Sequence, residues 1–118
     1  HLVEDRAYDW AEVASMPFIA MAPGTSVREL TDAANLRLDT PLMPRFEVSH
    51  LSTAGALVSA GLGVTVLPVL TLRMLDMRPL IQRQLTNFGS TRRIGVVHRS
   101  GRASSAAAVA FLKLLGIQ

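Results

Sequence analysis

Residues 46–68 read FEVSHLSTAGALVSAGLGVTVLP, and three changes of pattern run through them. From Arg45 to Ser49 polar and apolar residues alternate, the period of a half-buried strand. His50-Leu51-Ser52 turns the chain, with Ser52 placed to cap a helix whose apolar face is Ala54, Leu57 and Val58. Gly61 falls where a left-handed residue ends a helix. Val64 to Leu67 is a short β-branched and apolar run, the mark of a strand covered on both faces. A helix between two strands is the crossover that parallel strands need, since a tight hairpin cannot join strands of the same direction.

The same alternation extends outward on both sides. Asp9 to Ser15 reads as a short helix, and Phe18 to Ala22 as a buried strand ended by Pro23-Gly24. Ser26-Val27-Arg28-Glu29 has the capping-box pattern, with Val27, Leu30, Ala34 and Leu38 at helical spacing until Asp39-Thr40-Pro41. Pro68 can begin a helix over Val69 to Leu75. Beyond it, Leu80 to Leu85 and Ile94 to His98 read as strands. Ser104 or Ser105 caps a last helix through Leu115, which Gly116 ends. Alternating strands and helices define an α/β protein with a parallel-rich sheet flanked by helices.

Composition bounds the class. The chain has 118 residues, 49% hydrophobic and 18% charged, which is enough apolar material for one core. Without cysteine there is no disulfide framework and no thiolate metal site. No apolar run reaches the ~20 residues of a bilayer span, and the mixed, charged start His1-Leu2-Val3-Glu4-Asp5-Arg6 does not resemble a signal peptide. A cytoplasmic protein is the expectation, with its natural N-terminus preceding His1. Residues 1–76 hold nine acids against five arginines, whereas residues 77–118 hold six arginines, one lysine and no acid. A basic end raises the question of nucleic acid, but aromatic residues are only 5%, too few for a base-stacking platform. A solvated face, or charges that meet acids elsewhere, is the simpler reading.

The chemistry-bearing residues do not form a catalytic constellation. His50 and Ser52 are neighbours in sequence, but no nucleophile elbow surrounds Ser52. His1, His50 and His98 are scattered, without metal-ligand spacing, so no catalytic residue, metal or cofactor is expected. Gly61-Leu62-Gly63 lacks the third glycine of a dinucleotide fingerprint and precedes a strand instead of following one; it reads as a helix stop and an entry turn. Two strand ends do favour a small ligand. Phe18–Ala22 runs into Gly24-Thr25-Ser26, and Phe46–Ser49 into His50, Leu51, Ser52 and Thr53. Each turn offers backbone amides and hydroxyls at a helix start.

With those parts in place, the chain resembles the effector-binding domain of LysR-type transcriptional regulators. The resemblance is carried by Pro17-Phe18-Ile19, Gly24-Thr25-Ser26-Val27-Arg28, His50 through Ala60, Gly61-Leu62-Gly63-Val64-Thr65-Val66-Leu67-Pro68, Arg92-Arg93-Ile94-Gly95-Val96-Val97 and Phe111-Leu112. It implies a fold like type 2 periplasmic binding proteins, with two α/β subdomains joined by crossing strands around an inducer cleft. Residues of about 8–92 would form the second subdomain. The strand 94–98 and helix 104–115 would belong with a first subdomain that, like the DNA-binding winged helix-turn-helix, lies outside these 118 residues. The resemblance implies a small-molecule metabolite effector near Phe18, Ala20, Val48, His50, Ser52 and Thr53, no enzymatic activity, and DNA contact only through the helix-turn-helix. A fragment of a type 2 solute-binding protein for transport is the alternative. The last helix carries Ala108, Phe111, Leu112 and Leu115 on one stripe. Leaving two such large side chains in water costs ~3–6 kcal/mol relative to burial, so a homo-oligomer is expected of the isolated chain.

Overall fold

The computed structural model describes residues 1–117. Its elements are β1 (Tyr8–Asp9), α1 (Trp10–Ala14), β2 (Ile19–Met21), α2 (Ser26–Asn35), β3 (Phe46–Val48), α3 (Leu51–Ser59), α4 (Val69–Leu72), β4 (Leu85–Thr86) and α5 (Ala106–Leu114). Both strand pairs are parallel. β2 and β3 pair with Ile19 opposite Phe46, Ala20 opposite Glu47 and Met21 opposite Val48, and β1 pairs with β4. On the other edge of β2, Phe18 bridges Val64. There the Val64 amide donates to the Pro17 carbonyl and the Ile19 amide to the Val64 carbonyl, each at 2.9 Å. The order is therefore β3, β2, Val64, with β2 in the middle.

Alternation along β2 builds two layers of core. Phe18 and Ala20 face Trp10 and Val13 of α1 and Ala34 of α2. Ile19 and Met21 face Ala54 of α3, with Leu51, Leu57 and Val58 packed around. The Trp10 ring meets Phe18 and Phe88 edge-on, at centroid distances of 5.8 and 5.1 Å. α1 starts on a full capping box. The Asp9 carboxylate accepts from the Ala11 amide, and the Glu12 carboxylate accepts from the Asp9 amide. Arg6 then grips Glu12 at 2.8 Å and lies 4.0 Å from the Tyr8 ring centroid.

Several expected boundaries move. The cap of α2 is Thr25, not Ser26: Thr25 has the extended backbone of a cap and its hydroxyl accepts from the Arg28 amide at 3.2 Å. α3 is preceded by His50, and Ser52 already lies inside the first turn. α2 stops at Asn35, short of Leu38. The expected strand Val64–Leu67 is a single bridge followed by extended chain, and Leu80–Leu85 shortens to the pair Leu85–Thr86. The expected strand Ile94–His98 does not form; residues 87–105 contain no helix or strand. Ile94 and Val97 stay exposed, because a strand needs a partner for its backbone groups and this segment has none beside it. α5 forms on its Ser105 cap as expected, but none of its residues is buried.

Two consequences can be measured. A Cβ at Gly63 would stand 2.4 Å from the Pro17 carbonyl oxygen, so Gly63→Ala must push Val64 off β2. It is expected to cost about 2–3 kcal/mol in urea unfolding; a change below about 0.5 kcal/mol would contradict the close approach. Glu12 is held at about 2, below its ordinary 4.5, by the Arg6 side chain first and the Asp9 amide second. A carboxylate depressed in the folded state stabilises above its unfolded value and loses that contribution as pH falls. The start of α1 is expected to loosen between pH 4.5 and about 2. Glu12→Gln should flatten that part of the pH–stability curve.

Candidate functional site

The carboxyl ends of the strands meet the starts of two helices at one edge of the sheet. After β2 the Ala22 amide still donates to the Val48 carbonyl at 2.8 Å. Pro23 and Gly24, at φ 85°, then turn the chain into α2. The Thr25 hydroxyl accepts from Arg28 and donates to the Ala22 carbonyl at 2.9 Å. After β3 the chain enters α3 directly at His50, whose side chain makes no capping bond. The first amides of α3 thus have no side-chain partner, and the imidazole, Ser52 and Thr53 stand exposed beside them.

Arg28 ties this edge together. Its guanidinium donates to the Met21 carbonyl at 3.1 Å, to Glu47 of β3 at 2.5 Å and to Asp32 one turn along α2 at 2.8 Å. Those carboxylates, Glu47 first, hold the guanidinium above its ordinary value, so it carries its charge throughout. One side chain thereby fixes the first turn of α2 to the ends of both β2 and β3.

A broad groove opens on the other side of β2. β3 lies on one edge of β2 and Val64 on the other, so the chain leaving β2 and the chain leaving Leu67 diverge. That divergence is where α/β sheets leave a crevice outside their strand ends. The groove runs between Val27, Leu30 and Thr31 of α2, the chain at Val66–Leu70 and the segment from Gln82 to Ile94. Arg92 reaches back across 66 residues to donate to the Ser26 hydroxyl at 3.0 Å.

The structure divides the residues expected from the sequence. His50, Ser52 and Thr53 come together on the exposed turn at the head of α3, with Val48 half-buried just before them. Phe18 and Ala20 turn inward, 1% and 2% exposed, and pack against α1 and α2. Arg28, Arg92 and the Val66–Leu70 wall were not singled out as site residues. Arg28 stands at the spacing of an ordinary helix residue. The groove depends on β2 lying between β3 and Val64, an order that sequence periodicity does not encode. Among the described residues no three His, Asp or Glu side chains gather into a metal site, and no helix is long and apolar enough to cross a membrane.

A parallel α/β unit with a polar strand-end turn and an adjoining groove is a scaffold for holding a small solute. The family comparison gives the same class: residues 1–117 match the model described as the LysR substrate binding domain, and the chain belongs to that family. It is similar to the HTH-type transcriptional regulator YbhD of Escherichia coli K12, itself described as uncharacterized. That likeness is 29% identity over 114 residues, 97% of this chain and 36% of that protein. It is similar also to the uncharacterized HTH-type transcriptional regulator YfeR of Shigella flexneri, at 29% identity over 101 residues, 86% of this chain and 32% of that protein. The chain spans about a third of the length of these relatives. No solved structure matches it.

Replacing Arg28 tests how the edge is held. Arg28→Ala is expected to cost about 1–2 kcal/mol, the scale of losing charge-assisted hydrogen bonds at a partly buried site. Arg28→Lys should recover only part of it, since an ammonium cannot span three acceptors as a guanidinium does. Equal stability of the alanine variant and the parent in denaturant titration would contradict the tie.

Proposed function

We propose that this chain is the sensory part of a LysR-type transcriptional regulator and binds a small-molecule metabolite at the strand-end edge. The single observation that carries the reading is the convergence of the α2 and α3 starts at the carboxyl ends of adjacent parallel strands, in a chain of this family. His50, Ser52 and Thr53 would meet the effector's polar groups, with Val48 beneath them. Phe18 and Ala20 would act from behind, by fixing the position of β2. No catalytic step is assigned to any of these residues.

Residues of about 8–92 would form the second of two subdomains. The unpaired segment 94–98 and α5 would complete a first subdomain supplied by another part of the protein. Their exposure supports this: Val97 is 97% and Phe111 60% exposed. In the isolated chain the same surfaces would drive association into a homo-oligomer. DNA would be contacted through a helix-turn-helix segment elsewhere, as the names of the relatives suggest, and the effector would act by differential affinity for two arrangements of the regulator. Service as a solute-binding protein for transport is not favoured, since both relatives are named as transcriptional regulators.

Thermal melting against a panel of small metabolites is the direct test. A true effector at a hundred times its Kd should add about 2.7 kcal/mol of stability. His50→Ala and Ser52→Ala should each weaken it by roughly tenfold, the worth of one good polar contact. A ligand whose affinity ignored both substitutions would place the effector elsewhere.

A further inference from the structure

A second space lies beside the groove. It is a partly enclosed cavity of about 140 Å³ between α3, the Val64–Leu67 chain and the segment from Leu72 to Leu85. Its walls are chiefly aliphatic, with Gly55, Val58, Val64, Val66, Leu75 and Leu80 prominent. None of the six residues expected to meet the effector lines it. It shares with the open groove the wall formed by Val66, Leu67, Leu72 and residues 82–85.

Three polar side chains along its wall are engaged. The Thr65 hydroxyl donates to the Ile19 carbonyl at 2.8 Å, the Tyr8 hydroxyl accepts from the Glu4 amide at 3.1 Å, and Arg83 donates to the Glu4 carbonyl at 2.8 Å. Gln82 and Gln84 border it as exposed residues. A chiefly aliphatic wall offers an ion few partners in exchange for its hydration. Aliphatic-lined cavities on the order of 150 Å³ in other proteins admit benzene.

Gly55 shows that the space is left open by the sequence. It is buried in the middle of α3 and its φ is not positive, so its backbone does not require glycine. A Cβ there would meet Leu75 Cδ2 at 3.7 Å and Leu80 Cδ1 at 3.9 Å, which is ordinary contact. Helix propensity favours alanine over glycine at an interior position, and an alanine would also fill part of the void. Both local terms ask for a side chain, and the chain omits it where the cavity would shrink.

We propose that this cavity is a binding site for an uncharged, apolar molecule of about one ring in size. It is distinct from the strand-end edge and does not depend on an effector binding there.

The test is a benzene titration of the full chain followed by methyl NMR. Val58, Val64, Val66, Leu75 and Leu80 methyls should shift together and saturate with one Kd. Gly55→Val, which places two methyl groups against Leu75 and Leu80, should weaken that Kd at least tenfold. Gly55→Ala is the control should the valine variant fail to fold: it should keep the fold, raise the melting temperature and weaken benzene severalfold. Shifts that never saturate would overturn the proposal. So would shifts centred on other residues, or a Kd that the folded Gly55 variants leave unchanged.

Discussion

The approach of the Gly63 backbone to Pro17 is the contact on which the rest of the sheet depends. With a Cβ position only 2.4 Å from the Pro17 oxygen, no side chain fits between the two strands there. The two backbone bonds that follow, Val64 to Pro17 and Ile19 to Val64, make β2 a central strand with partners on both edges. A strand paired on one side only would have an open edge at Ile19, which is 0% exposed here. The buried amides along that edge would then lack partners, at a cost comparable to a lost hydrogen bond each.

The arrangement of the strand-end edge follows from β2 being central. α2, which follows β2, and α3, which follows β3, cover opposite faces of the central strand, α2 over Phe18 and Ala20 and α3 over Ile19 and Met21. Because the helices leave from adjacent strand ends, their N-termini share one edge, and Arg28 locks the first turn of α2 to both strands. The groove and the inner cavity are the two spaces beside the chain that leaves Val64. One opens at the edge and is polar at its rim; the other is apolar and partly closed. Gly55 borders the second.

The central elements were legible because their signals are local. Alternation at Arg45–Ser49, the small-residue helix, Gly61 at φ 77° and the Ser105 cap of α5 are all written within a few residues. Ser26 and Thr25 are confused as caps because adjacent hydroxyl residues offer equivalent chemistry and only the backbone angles choose between them, whereas the cap position of α3 falls on His50, whose side chain makes no capping bond and so leaves no signal in the sequence. What stayed hidden was non-local. Gly63 reads as an entry turn until Pro17 lies against it. The extended pattern of Ile94–His98 carries strand propensity, but propensity supplies no partner, and those residues remain exposed. The site residues divided for a similar reason. His50, Ser52 and Thr53 follow a strand, where exposure is the rule for turns. The inward turn of Phe18 and Ala20 was set by which face of β2 α1 and α2 came to cover.

Amide hydrogen exchange on the chain tests the central claim most directly. If the seam at Val64 organises the sheet, the Ile19 and Val64 amides should be among the slowest to exchange and should open together with Ala22, on the opposite edge of β2. Rapid exchange of Ile19 and Val64, at the rate of the exposed segment 94–98 while Ala22 stayed protected, would show that β2 pairs only with β3. The strand-end edge would then rest on something other than the Gly63 contact.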